Sequence, residues 1–361
     1  MSSKNEPKMT KPSQVDLDYQ HHILQGVSRT FALTIPQLPE DLSKVVSNAY
    51  LLCRIADTIE DDKDMSLEKK KIAADQFIKV VAESSSAEEF AKALHPQLSP
   101  TSSADERDLI DNSAAVLRIT HSFNPRQRQA LERCIRLMAD GMARYQEADV
   151  KNGLKDQADM DQYCYFVAGV VGEMLTDLFC DYSAEINQNH DLMKTLAVSF
   201  GQGLQMTNIL KDIWEDQDRE MCWLPGDVFE KYGLDLSNIK EGKGTAGFQQ
   251  ALQQLIGLAR SHLENALRYT LLIPAHEVGI RRFCLWAIGM AVLTLRKINN
   301  NPDFNAGKQV KISRRSVKAT ILSTNLLTRH DVPLNLLFKL SALGLPKGQL
   351  DQKFMPASSS D

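Results

Sequence analysis

A chain of 361 residues, 43% hydrophobic and 24% charged, has the makeup of a globular protein and is long enough for one large core or two smaller ones. A net charge of −4 and an isoelectric point near 6.1 exclude a global basic field that would draw phosphate backbones, so no nucleic-acid partner is expected. The six cysteines (Cys53, Cys134, Cys164, Cys180, Cys222 and Cys284) lie far apart in apolar stretches, with no CxxC or zinc spacing. They read as small buried residues of a reducing, cytoplasmic compartment.

The N-terminal MSSKNEPKMTKPSQ lacks the apolar core of a signal peptide. Residues 1–15 and 351–361, polar or Ser-rich, are expected to be disordered tails on a single domain over 16–350. Within that domain strand-like alternation is scarce and apolar residues recur three and four apart, which predicts an all-α fold. Pro36 and Pro39 precede a helix over about 41–61, and Lys69–Glu83 predicts another. Ser84–Ser103, with Pro96 and Pro100, reads as a surface loop with at most a short helix. Long helices are predicted over 105–122, 125–147, 160–181, 190–216, 246–270 and 276–300, with a Pro/Gly-containing crossover at Leu224–Gly233. The longest uncharged apolar run, Phe283–Leu295, is shorter than the roughly 20 residues needed to cross a bilayer, so no anchor is expected. Val332–Pro346, apolar with a single lysine, suits either a bilayer surface or a cap on the core, and core packing is the favoured reading.

Two acidic segments carry the chemistry. In AYLLCRIADTIEDD (49–62), Asp57, Glu60 and Asp61 share one face of a helix whose preceding residues are apolar nearly all round. In QMTNILKDIWED (205–216), Asn208, Asp212 and Asp216 are spaced i, i+4, i+8 with Glu215 beside them, a ladder about 12 Å long. An acidic run is most often a solvated helix end. Carboxylates on an apolar helix, however, must meet water or cations, and two such helices facing each other offer hard oxygen ligands suited to Mg²⁺. Ser28, Arg29, Arg54, Lys211 and Arg219 lie near these segments. Each alone is a salt-bridge partner by default, while the set fits a diphosphate held between cationic side chains and Mg²⁺.

Four ordered stretches, SRTFALTIPQL (28–38), LLCRIADTIEDD (51–62), YCYFVAGVVGEML (163–175) and NILKDIWED (208–216), resemble the squalene/phytoene synthase family over roughly residues 20–320. The resemblance implies an all-α isoprenoid-synthase bundle around an apolar channel. It implies Asp57, Glu60, Asp61, Asn208, Asp212 and Asp216 as the Mg²⁺ residues. CLWAIGMAVLTLRKINNN (284–301), VKISRR (310–315) and REMCWLP (219–225) are closer to the squalene-forming branch than to the phytoene-forming one. That branch implies head-to-head joining of two farnesyl diphosphates through presqualene diphosphate, then reduction to squalene by NADPH or NADH.

Carried over residue by residue, the resemblance gives Tyr163 as the catalytic tyrosine, Tyr50 as a donor to diphosphate, and Phe283 as an aromatic near the cation. It gives Ser28, Arg29, Phe31, Arg54, Gln205, Lys211 and Arg219 as substrate contacts. Ala168, Gly169, Val171 and Gly172 are small enough to let a prenyl chain pass between helices. No G-x-G-x-x-G follows a strand, so the nicotinamide site implied is non-Rossmann, at Asn300, Asn301, Lys311, Arg314 and Arg315. The ordinary alternatives are core packing for the aromatics and a solvated face for KISRR. Lys211 departs from the arginine of many relatives, and no C-terminal membrane helix follows, so membrane contact is expected to be peripheral. Rival readings are a same-fold enzyme that stops at presqualene diphosphate or makes phytoene or dehydrosqualene, a one-substrate terpene cyclase, and a non-catalytic helical lipid-binding or assembly factor. Intact aspartates count against the last.

Overall fold

The computed structural model describes residues 12–28 and 30–350, and among them every regular element is helical apart from an isolated bridge between Leu154 and Pro225. The chain divides into two compact units, one ending at Gln146 and the other starting at Glu147. The sequence has no linker there; the division falls in the last turn of a continuous helix.

The first unit opens with α1 (Gln14–Val27), two residues inside the expected N-terminal tail. Ser13 and Asp16 form a reciprocal capping box, and Arg118 holds the Asp16 carboxylate at 2.6 Å, which fixes the start of the helix. The remainder of that tail (1–11), the tail 351–361 and Arg29 lie outside the described residues. After a short helical turn comes α2 (Glu40–Asp61), then α3 (Leu67–Val81), capped by Ser66, and α4 (Ala87–Leu94), capped by Ser86 inside the expected loop. The single helix expected over 105–122 is two, α5 (Ala104–Asp111) and α6 (Ser113–His121). Asn112 breaks it because its side chain donates back to the Asp108 carbonyl and carboxylate, both at 3.0 Å, in competition with the helix ladder. Helix α7 (Pro125–Glu147) matches its expected bounds. A buried polar chain ties the layers together: Gln20 donates to Asn48 at 3.1 Å, and Asn48 to Thr120 at 2.6 Å.

The second unit contains α8 (Gln157–Tyr182), α9 (His190–Lys211), α10 (Ile213–Gln217), α11 (Ala246–Leu272), α12 (Val278–Asn300), α13 (Arg314–Leu327) and α14 (Asp331–Ser341). Helix α9 is central and packs on α8, α11 and α12. Contrary to the expectation from Phe283–Leu295, α8 (26 residues) and α12 (23 residues) are long and apolar enough to cross a membrane. Buried inside the protein is 50% of the most apolar window of α8 and 61% of that of α12. A helix enclosed by other helices needs the same apolar composition as one enclosed by lipid.

The final two helices form a hairpin on α12. Val332–Pro346 is divided between the two roles considered for it: Leu334, Phe338, Ala342 and Leu345 are buried, while Val332, Leu336, Leu340 and Leu343 are exposed. Arg281, 2% exposed, locks the hairpin in place. Its guanidinium donates to the carbonyls of Ile273 and Thr328 at 2.7 and 3.0 Å and to the Asp331 carboxylate at 2.7 Å. Arg260 and Ser261 then hold the carbonyls of Leu345 and Gly348 against α11. All six cysteines are buried and unpaired by disulfides.

Candidate active site

In the first unit, the end of α1, Ser28 and Phe31 meet the middle of α2 at an open pocket of about 370 Å³ lined by Ser28, Phe31, Tyr50 and Arg54. Four residues singled out in two separate stretches of sequence thus meet. The Ser28 hydroxyl accepts from the Phe31 amide at 3.0 Å, the Tyr50 hydroxyl donates to the Val27 carbonyl at 3.0 Å, and the Phe31 and Tyr50 rings lie 5.1 Å apart. Arg54 is held loosely, 4.0 Å from Asp57 and 3.8 Å from Glu106, and its buried Nε has no hydrogen-bond partner. Glu106 carries no sequence signal for this position; it arrives through the capping box of α5.

One turn further along α2 the carboxylates crowd. Burial and then the charge of Asp61 push Asp57 up to about 7. Burial, Asp61 and Asp57 push Glu60 up to about 8 against the pull of Lys70. Glu60 lines a narrow cleft of about 20 Å³ with Lys70, Met142 and Gln146, so it lies apart from the Arg54 pocket. Asp62, the last acid of the run, is 4% exposed and structural. It accepts from the amides of Met65 at 2.9 Å and Ser99 at 2.6 Å and so ends the helix.

In the second unit the expected helix over 190–216 breaks at Asp212, whose φ of −103° and ψ of 15° interrupt regular geometry. The ladder survives the break, because Asp212 donates to the Asn208 carbonyl and Asp216 to the Asp212 carbonyl, both at 2.9 Å. Lys211 reaches the Asp212 carboxylate at 3.0 Å. Glu215 accepts from the Gly307 amide at 2.8 Å. A Cβ on Gly307 would stand 2.9 Å from the Asp212 carboxylate and 3.0 Å from the Lys211 carbonyl, so glycine here makes the close approach of this backbone easy. Gln205 is half-buried and Arg219 exposed.

Helix α8 contains a π-turn at Tyr165–Gly169, inside the YCYFVAG stretch. Such turns cluster at functional sites, and nothing in the apolar spacing reveals this one. Just before it, Tyr163 is buried and stacks on Trp223, centroids 4.0 Å apart and 5° from parallel. Of the small residues that follow, Gly172 lies at a close contact between α8 and α9. A Cβ on Gly172 would lie 2.4 Å from the Ala197 carbonyl, and one on Gly201 would lie 2.4 Å from that of Ala168. Smallness here lets two backbones touch; Ala168, Val171 and Gly172 remain half-exposed. Phe283 is buried edge-on against Phe179 at 6.2 Å, in ordinary core packing. Asn300, Asn301, Lys311, Arg314 and Arg315 are all exposed, at the end of α12 and the start of α13.

Among the described residues no three His, Cys, Asp or Glu side chains converge as a ready-made metal nest. The donor set still fits Mg²⁺, which keeps several waters and commonly takes one or two carboxylates completed by substrate phosphates. Burial and then the charge of Asp61 raise Asp57, and a cation here would relieve the second of these. The five nicotinamide candidates offer cationic and amide groups suited to phosphate, but on open surface.

Comparison with known proteins bears on the family and the fold. The squalene/phytoene synthase family model matches residues 24–316. The chain is 30% identical to squalene synthase BSS of Botryococcus braunii, covering 87% of this chain and 66% of that one. It is 29% identical to squalene synthase 1 of Arabidopsis thaliana, covering 86% and 72%. The solved structure of TcSQS with a bound ligand superposes with a TM-score of 0.71 at 24% identity, over 91% of each chain. A dehydrosqualene synthase in complex with ligand gives 0.64 at 19%, over 87% of this chain and 96% of that one. Both solved structures share the all-α fold.

Proposed function

This chain belongs to the squalene/phytoene synthase family, and on that premise we propose that it condenses two farnesyl diphosphates head to head, through presqualene diphosphate, and reduces the product to squalene. The observation that carries the reading is the pocket that unites Ser28, Phe31, Tyr50 and Arg54 one turn before Asp57. The chain spans 66% of the Botryococcus braunii relative's length, so the activity comes from the site as well as from the likeness.

Arg54, with an uncommitted Nε, and Ser28 hold the diphosphate, and Asp57, Asp61, Asp212 and Asp216 are the Mg²⁺ residues. Magnesium, when bound, supplies positive charge against the departing diphosphate, and NADPH, when bound, supplies the hydride that ends the second cation. Loss of diphosphate from one substrate leaves an allylic cation, the alkene of the other attacks it, and proton loss closes the cyclopropane. The stacked Tyr163–Trp223 pair fixes the tyrosine ring, and apolar helices exclude the water that would quench the cation. Lys311, Arg314 and Arg315 are the partners for the cofactor's phosphates. The enzyme works in the cytoplasm, with peripheral membrane contact.

The test is product analysis with farnesyl diphosphate and Mg²⁺, with and without NADPH. Presqualene diphosphate alone, converted to squalene when NADPH is added, supports the reading. Dehydrosqualene or phytoene formed regardless of NADPH moves the chain to the second reading, which the likeness to a dehydrosqualene synthase keeps in view.

A further inference from the structure

Exposed apolar surface and positive charge coincide in the α13–α14 hairpin. Of the twelve large apolar side chains exposed among the described residues, six fall here: Leu322, Leu326, Val332, Leu336, Leu340 and Leu343. From Lys318 to Leu343 the chain also has three Lys and Arg (Lys318, Arg329 and Lys339) against one Asp, a net of +2 in a protein whose total is −4. That one acid, Asp331, is taken by the buried guanidinium of Arg281 at 2.7 Å.

We propose that the outer face of this hairpin docks on the surface of an anionic lipid bilayer. On α13 and the two residues after it, Thr320, Thr324 and Thr328 are buried, and the opposite arc carries Lys318, Leu322, Leu326 and Arg329. On α14, Leu334 and Phe338 are buried, and the opposite arc carries Val332, Leu336, Lys339 and Leu340. The inner arcs are thus committed to the protein, and the Arg281 and Arg260 bonds fix the hairpin, so its outer leucines have no core of their own to join. Apolar side chains interleaved with Lys and Arg suit the boundary between acyl chains and acidic headgroups. A second copy of the chain fits worse, because two faces of this charge repel when brought together.

Vesicle flotation of the full chain tests this, with phosphatidylcholine alone and phosphatidylcholine mixed with phosphatidylglycerol. Binding to the mixed vesicles is expected, weakened by salt. The triple variant Leu322→Gln/Leu336→Gln/Leu340→Gln should lower partitioning at least about tenfold. Lys318→Gln and Lys339→Gln should each lower it about fivefold. Far-UV circular dichroism and turnover of dispersed substrate should not change. An environment-sensitive dye on Leu326→Cys should shift to the blue when mixed vesicles are added. The proposal falls if the protein ignores mixed vesicles, binds neutral ones equally, or keeps its binding after the leucine changes. It falls also if sedimentation shows a dimer that the leucine variant dissociates, since the face would then belong to a second copy.

Discussion

The two carboxylate helices look alike in sequence and differ in how their charge is met. At the end of α2, burial and then carboxylate repulsion push Asp57 and Glu60 up to about 7 and about 8, while Arg54, 4.0 Å from Asp57, divides itself with Glu106. At the α9–α10 break, Lys211 sits 3.0 Å from Asp212, and the Gly307 amide bonds Glu215 at 2.8 Å. The spacing of acids in a sequence tells where carboxylates point. It does not tell whether the fold already supplies their counter-charge.

The largest effect should come from removing one acid on either side. Asp57→Asn, Asp61→Asn and Asp212→Asn should each cut farnesyl diphosphate consumption by about 10²–10³-fold or more, with the helical circular dichroism retained. Melting in EDTA at pH 8 should then separate the two helices. Asp57→Asn is expected to raise the melting temperature by relieving repulsion, and Asp212→Asn to leave it level or lower it by stranding Lys211. Shifts of the same sign in both would erase the contrast.

Titration sharpens it. Folded Asp57 and Glu60 bind protons more tightly than in the unfolded chain, where carboxyls titrate near 4. The metal-free protein should therefore lose stability as pH rises from about 4 to about 8. Mg²⁺ added at the upper end should restore part of the loss. Asp16 behaves in the opposite way, because its hydrogen bond from Arg118 holds the carboxyl below its usual range. Its contribution is complete above the unfolded value and lost as pH falls through the folded one. Arg118→Met should flatten only that acid limb in a pH series of urea melts.

The smallest effects concern glycines. Gly172→Ala meets the Ala197 carbonyl at 2.4 Å, a backbone atom that cannot swing aside, and should cost about 1–3 kcal/mol in urea denaturation. Gly26→Ala meets only the carboxyl tip of Asp105, an exposed side chain free to rotate, and should cost less than about 0.5 kcal/mol. Equal costs would mean that the α8–α9 contact has more slack than its geometry implies.

Much of the fold was legible because helical periodicity and proline punctuation are local. Pro125 and the apolar stripe of α7 bound that helix at both ends as expected. The break at Asp212 was not legible, since its amide still bonds four residues back and the sequence spacing is unchanged. The π-turn in α8 was hidden for a similar reason: one inserted residue shifts the ladder without altering composition. In the site, Ser28, Tyr50 and Arg54 could be picked out singly, because each neighbours a recognisable motif. Glu106 and Gly307 could not, because they come from distant segments that only tertiary packing brings to Arg54 and Glu215.

Arg281 has a bearing on how the second unit comes apart. Its guanidinium is fully enclosed, and its partners are the carbonyls of Ile273 and Thr328 and the carboxylate of Asp331. If α14 frayed alone, the Asp331 carboxylate would leave and strand a cation in a dry interior, which is costly. Partial opening is thereby suppressed. Amides around Thr328, in the α11–α12 connection and at the start of α14 should exchange with solvent in one cooperative event, with a common free energy and a common dependence on denaturant.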